Sequence, residues 1–244
     1  MHPLPDPLPE WTPMLPPAST DCQELRAAPW SCTLRCMKKK IDLLVATSNP
    51  GKVREIRRLL KGMRLRLAWL GTLGDACPPA PAETGRAFAQ NARLKARYYA
   101  THCGLVAFSE DSGLCVDSLG GAPGHLSARF LGRKASYEQR CTHLLRLLEG
   151  KPRPLRRASF QAAGAVVDPT GRVLFEATGQ CPGVIAHAMA GRKGFGYDPI
   201  FYYPPARKTF AEMAASEKNA VSHRARLLAQ LRRFLLRSSS RFGS

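Results

Sequence analysis

No stretch of the 244-residue chain approaches the roughly 18 uninterrupted apolar residues that a membrane-spanning helix needs, which argues against an integral membrane protein. The opening MHPLPDPLPEW has no basic segment followed by an apolar one, so a secretory signal is not expected and a soluble, cytoplasmic chain is. CxxC pairs are also missing. The eight cysteines (Cys22, Cys32, Cys36, Cys77, Cys103, Cys115, Cys141 and Cys181) are scattered; Cys32 and Cys36 could begin a zinc site, but no second pair follows at a suitable spacing. Reduced thiols are expected. Acid is scarce: 18 Asp and Glu stand against 37 Lys and Arg, a net charge of +19. Such a balance favours polyanionic partners (nucleic acid, nucleotides or an acidic membrane surface), although an Arg-rich coding bias produces the same numbers. Part of the excess is terminal, since Lys218 to Ser244 holds one Lys, six Arg and no acid. The hydrophobic fraction, 44%, is that of an ordinary globular protein and argues against wholesale disorder.

Residues 1–36 stand apart from the rest. Pro3, Pro5, Pro7, Pro9, Pro13, Pro16 and Pro17 crowd the first half without any apolar period, which reads as a disordered extension. Met37, followed by three lysines and a strand, has the look of a native start, and residues 37–244 read as the functional domain. Within it, strands and helices alternate. Asp42 to Ala46, Leu105 to Phe108, Ala158 to Val167 and Arg172 to Thr178 read as strands. Lys52 to Leu60, Thr84 to Tyr99 (with Thr84 as N-cap), Tyr137 to Leu148 and a last segment carrying Val221, Ala225, Leu228 and Leu235 read as helices. The class is α/β.

Five segments carry chemistry. Thr47, Ser48, Asn49, Pro50, Gly51 and Lys52 join a strand to a helix; small residues allow a close anion, the helix start offers N–H groups, and Lys52 adds charge. The pattern is not a Walker P-loop, and an ordinary turn would use the same residues. On the next helix Phe88, Asn91 and Lys95 share a face, which suggests a cleft; Glu83, near the helix start, suits either a cap or a site. Glu110 and Asp111 follow an apolar strand that Ser112 and Gly113 are expected to break, and adjacent carboxylates are costly to crowd unless a cation or water uses them. This makes Asp111 a candidate for Mg²⁺ and for a general base. Phe195, Gly196, Tyr197 and Asp198 combine aromatic faces with an acceptor for purine N–H groups. Lys218, His223 and Arg224 cluster at a helix start, an arrangement suited to an anion or carbonyl group.

Taken together and in order, TSNPGK, ETGxxFxxNAxxKA, EDSGLxVDxLGGAPG, SAR at Ser127 to Arg129, GFGYDPIF and AEMxxxEKNxxSHR resemble the Ham1-like inosine triphosphate pyrophosphatases over roughly Ile41 to Leu231. The resemblance implies hydrolysis of ITP, dITP or XTP to the monophosphate and pyrophosphate with Mg²⁺, cleansing the nucleotide pool. It implies a homodimer and an elongated mixed sheet whose two lobes enclose a cleft, with no requirement for nucleic acid. It places phosphate binding on Thr47 to Lys52, metal binding on Glu83 and Asp111, the general base on Asp111, a substrate contact on Ser112, and base recognition on Phe195 to Asp198 with Lys218, His223 and Arg224. The chain departs from the family pattern at Ala82-Glu83, where two acids are frequent, at Glu110-Asp111, where two Asp are usual, and at Leu126, where an aromatic is frequent. The chemistry is coherent: Lys52 and Lys95 are candidates to neutralise phosphate, and donors such as Lys218 and Arg224 favour a 6-oxo over a 6-amino purine. There are two competing readings: a basic nucleic-acid-binding protein, for which the chain holds no zinc-finger or RNA-recognition signature, and a catalytically inactive nucleotide-binding relative, which the complete set of acids disfavours.

Overall fold

The protein is represented by a computed structural model that describes residues 41–238. The proline-rich segment 1–36 lies outside the described residues. Strands β1 (Ile41–Val45), β2 (Leu65–Trp69), β3 (Ala107–Val116), β4 (Arg157–Val167), β5 (Val173–Ile185), β6 (Phe201–Tyr203) and β7 (Lys208–Thr209) form one sheet of order β2-β1-β3-β4-β5-β6-β7. β1 is parallel to β2 and β3, and every later pairing is antiparallel, so the sheet is mixed. Helices α1 (Pro50–Leu59), α2 (Phe88–Cys103), α3 (Tyr137–Leu147), α4 (Ala215–Val221) and α5 (His223–Ser238) flank it.

The pleat sorts the apolar residues between the two faces. Leu43 and Val45 of β1 join a core with Ile56 and Leu60, on and just after α1, and with Leu227, Leu228, Leu231 and Leu235 of α5. Leu44, with Ala46 just past the strand, joins a second core with Ala96, Tyr99 and Ala100 of α2. A third core lies at the far end of β3, where Leu114 and Val116 meet Cys141 and Leu144 of α3, Phe160 of β4 and Phe201 of β6. The start of α5 is seated hard against β5: a Cβ on Gly179 would lie 2.1 Å from the His223 carbonyl oxygen. Glycine is what admits that approach.

Four expectations need correction. The strand expected to end at Thr178 runs on to Ile185 as β5, paired with β4 along its length. β3 does not stop at Phe108 but continues through Glu110, Asp111 and Ser112 to Val116, because β4 pairs with it residue by residue from Ala107 to Val116. The second helix begins at Phe88 rather than Thr84, with Ala87 at its N-cap and no side-chain cap. The last helical segment is two helices, and Val221 belongs to the first of them. β2, β6 and β7, all short, were not foreseen. Among the described residues no helix is long and apolar enough to cross a membrane.

Candidate active site

β1 pairs with β3 only at Leu44 opposite Ala107 and Val45 opposite Phe108. Beyond this point β1 has turned into α1 while β3 runs on, so the edge of β3 from Ser109 onward is released from the β1 partner. A cleft of about 600 Å³ opens here, lined by the Thr47–Lys52 turn, Glu83, Lys95, Asp111, the Phe195–Asp198 turn and the start of α5. Ligand clefts at such a switch in strand order are a general property of open α/β sheets.

At the first wall, Asn49 caps α1. Its Oδ1 accepts from Gly51 N (2.9 Å) and Lys52 N (3.2 Å), and Pro50 has no N–H. The free helix-start N–H groups foreseen from the sequence are thereby occupied, and side chains are left to meet an anion at this turn. Lys52 Nζ reaches Glu110 Oε1 at 3.6 Å and the Glu110 carbonyl oxygen at 3.4 Å. From the opposite wall Lys95 Nζ donates to the same carbonyl at 3.4 Å. It also contacts Glu83 Oε1 at 2.7 Å and Asp111 Oδ1 at 3.4 Å. Asn91 Nδ2 donates to Asp111 Oδ2 at 3.1 Å. Burial pulls the Lys52 ammonium below the ordinary lysine value, with Glu110 opposing. Burial alone would raise the Glu83 carboxyl, but Lys95 and then Arg129 outweigh it and hold it low.

Glu110 and Asp111 are adjacent, yet the pleat sends them to opposite faces, which removes the crowding expected from their proximity in sequence. Asp111 faces α2. Glu110 faces α1 and α5, where Arg224 grips it with two bonds, Nε to Oε2 and Nη2 to Oε1, each 2.7 Å. Arg224 Nη1 donates to Glu55, and Nη2 also reaches Ser112 Oγ at 3.2 Å. Lys218 Nζ lies 2.5 Å from Asp198 Oδ2 and 2.8 Å from Glu55 Oε1. Burial would raise the Glu110 and Glu55 carboxyls, but the cations, Arg224 foremost, hold both below their ordinary values. Burial pulls the Arg224 guanidinium down, and Glu110 and Glu55 more than restore it. For Asp198 burial wins over Lys218, and its carboxyl sits above the usual value.

In the same cleft, Lys218 Nζ lies 4.8 Å from the Phe195 ring centroid and Arg224 Cζ 5.6 Å from it. Asp198 Oδ2 accepts from Phe195 N at 2.8 Å, which fixes the turn that carries the ring. Tyr197 is core-facing: it is buried, its hydroxyl donates to the Ser127 carbonyl at 2.8 Å, and its ring packs edge-on against Tyr137. His223 stacks on Phe160 at 4.8 Å, and among the described residues its buried Nδ1 has no hydrogen-bond partner. Burial, with Arg224 next, pushes its imidazole well below the usual value, so it is neutral near pH 7.

Thr47, Ser48, Asn49, Lys52, Glu83, Lys95, Asp111, Ser112, Phe195, Gly196, Tyr197, Asp198, Lys218, His223 and Arg224 all line this one cleft. Pro50 and Gly51 sit behind it in the first turn of α1. Glu55 was missed, though it is the sole acid between Asp42 and Asp75 and follows Lys52 by three residues on a helix. Arg129 was read only as part of a motif; its Nη2 donates to the Glu83 carbonyl at 3.3 Å and its Nη1 lies 3.8 Å from the Glu83 carboxylate. Among the described residues no group of three or more His, Cys, Asp or Glu is arranged to hold a metal. The pair Glu83 and Asp111, both in contact with the single Lys95 ammonium, supplies hard oxygen donors. That set suits Mg²⁺, which takes one or two protein carboxylates and completes its shell with water and phosphate.

A mixed sheet whose switch point gathers paired lysines and paired carboxylates defines an α/β protein built to take a polyanionic ligand. A model of the Ham1 family matches residues 43–234. A dITP/XTP pyrophosphatase from Yersinia pseudotuberculosis is 47% identical over 190 residues, covering 76% of this chain and 93% of its own. One from Gloeobacter violaceus is 48% identical over 191 residues, covering 78% and 91%. Among solved structures, a HAM1 protein from Coxiella burnetii superposes with a TM-score of 0.74 at 35% identity, covering 81% of this chain and 99% of its own. The chain belongs to the Ham1 family.

Proposed function

We propose that this chain hydrolyses the purine nucleoside triphosphates ITP, dITP and XTP to the monophosphate and pyrophosphate in a Mg²⁺-dependent reaction. The observation that carries the proposal is the convergence of Lys52 and Lys95 from opposite walls on the Glu110 carbonyl, each at 3.4 Å, beside Asp111. Two ammonium groups and a carboxylate at one point suit a phosphate chain and the water that attacks it. The names carried by the relatives support the same choice of substrate.

Glu83 and Asp111 would hold Mg²⁺, which when bound neutralises phosphate oxygens and acidifies water. Lys52 and Lys95 draw the phosphates to the floor of the cleft. Asp111 orients the attacking water and accepts its proton at a carboxylate oxygen. At the other end, Phe195 offers a ring face to the purine. The Arg224–Lys218 edge reads the 6-position, together with His223 Nδ1 in its protonated tautomer, which has no hydrogen-bond partner among the described residues; an oxo group satisfies these donors and an amino group leaves them unpaired. The family resemblance is also the support for a homodimer, which sedimentation of the purified chain tests. The decisive assay is pyrophosphate release from ITP, dITP, XTP, ATP and GTP with and without Mg²⁺. Equal rates on ATP and ITP would remove the specificity, and absence of pyrophosphate would remove the reaction.

A further inference from the structure

Asn91 is fully buried in the first turn of α2, where an asparagine is a poor choice for a dry core. Both ends of its amide are in use. Oδ1 accepts from Gly85 N at 2.8 Å, and Nδ2 donates to Asp111 Oδ2 at 3.1 Å. The bond to Gly85 draws the segment carrying Glu83 down onto the helix. The approach is close enough that a Cβ on Gly85 would lie 2.6 Å from Asn91 Oδ1. The bond to Asp111 reaches across to β3. Lys95, one turn further along α2, completes the link on the cleft side through Glu83 Oε1 and Asp111 Oδ1. The result is a closed ring of contacts: Glu83 to Lys95 to Asp111 to Asn91 to Gly85, and back along the chain to Glu83.

We propose that Asn91 is a positioning residue that fixes Glu83 and Asp111 relative to one another, a role that rests on the reading of these two carboxylates as the cation-binding pair. The two acids come from elements with no backbone bond between them: an irregular segment, and a strand whose edge is open at this point. Lys95 alone does not set their spacing, because its ammonium divides its donors among Glu83, Asp111 and the Glu110 carbonyl, and in the proposed reaction it also turns to phosphate. A buried amide is different. Its oxygen needs a donor and its nitrogen an acceptor, so the backbone N–H on one side and the carboxylate on the other dictate a single orientation. It occupies Asp111 Oδ2 and thereby leaves Oδ1 as the oxygen turned to Lys95 and the cleft. Groups that orient metal-binding side chains in this way typically matter by 10- to 100-fold in metal affinity or activity.

The test uses the full chain and three variants: Asn91→Leu, Asn91→Asp and Gln90→Ala. Gln90 is a control, because its Oε1 accepts from Arg86 N at 2.9 Å and so ties the same segment to α2 without touching Asp111. Mg²⁺ binding to the metal-free protein is measured by calorimetry, amide exchange at Gly85 by mass spectrometry, and kcat and KM on ITP. Asn91→Leu is expected to weaken Mg²⁺ binding by about 10- to 100-fold and to speed exchange at Gly85. If Asn91→Leu does not fold, Asn91→Asp carries the test. It keeps the acceptor for Gly85 and replaces the neutral amide donor with a second carboxyl group, which repels Asp111 when ionised and shares a proton with it when not, so Gly85 stays protected while kcat falls by about tenfold or more and KM moves by less than about threefold. Gln90→Ala is expected to leave Mg²⁺ binding unchanged. A folded Asn91→Leu protein that binds Mg²⁺ as the parent does overturns the proposal. So does an Asn91→Asp protein with parental kcat, or a Gln90→Ala protein that loses as much affinity as Asn91→Leu. A parent chain that binds Mg²⁺ yet releases no pyrophosphate would defeat the proposed reaction and leave the positioning role intact.

Discussion

Arg224 and Glu110, 114 residues apart in the chain, form a two-bond ion pair with both N–O distances at 2.7 Å and both side chains almost wholly buried. With Nη1 on Glu55 and a further bond to Ser112 Oγ, most of the donors of Arg224 are held by the protein itself. Its first role is therefore to neutralise two buried carboxylates and pin α5 against α1 and β3, with a small part left for a ligand.

Arg224→Ala should accordingly lose stability as well as activity. Removing one partner of a buried ion pair costs about 3–5 kcal/mol, measurable by urea denaturation. In the fraction that folds, the kcat/KM ratio for ITP over ATP should fall roughly ten- to a hundredfold if the remaining donor reads the 6-oxo edge. An unchanged ratio would refute the base-reading role even if both rates collapsed.

Asp111→Asn should keep the fold and lower turnover by at least ~100-fold, the scale of losing a general base or metal ligand. Asp111 accepts from Asn91 on one side and from Lys95 on the other, so an amide of the same size keeps one of these two bonds and sets its NH2 against the other donor, at a cleft edge that side chains can adjust. Near-normal turnover in a purified, folded variant would sink the assignment.

Acid should destabilise the chain through two buried carboxylates, Glu55 and Glu110, and the half-buried Glu83. Glu55, Glu83 and Glu110 all titrate lower in the folded protein than in the unfolded chain. The unfolded chain then binds more protons, so the stability they contribute is present above the unfolded value of about 4.3 and is lost as pH falls from there through their folded values. Asp198, shifted upward, has the opposite sign and softens the effect. Thermal melts at a series of pH values check this, and Glu110→Gln should flatten the acid limb. A parent profile that stays level below about pH 4 would contradict it.

Cys141 and Cys181 should resist alkylation in the native state. Both are buried, and burial pushes their thiols up to about 12 and about 11. The reactive thiolate is then almost absent near pH 8, while Cys77 and Cys103 are partly exposed. Peptide mapping after a short iodoacetamide pulse reads the difference. Early labelling of Cys141 would show that the α3 core opens far more often than its packing allows.

The class, the order of the main strands and helices, and the pool of chemistry-bearing residues were legible in the sequence, because apolar period and motif spacing are local properties of a chain. The sequence also held the motifs that place the chain in its family. The tertiary structure decided what local patterns do not carry. Whether β3 ends at Phe108 or runs through Glu110 and Asp111 depends on β4, some fifty residues later, which supplies the partner. Adjacent carboxylates look crowded in one dimension, and only a pleated strand with α2 on one face and α5 on the other separates them. Glu55 reads as a solvated helix acid until α5 brings Arg224 and α4 brings Lys218 to it. Asn91 reads as one polar residue on a mixed face until the fold sets Gly85 against one end of its amide and Asp111 against the other. In each case at least one deciding partner lies at a distance in sequence that no local pattern spans, and burial of a polar group is what turns that contact into a constraint.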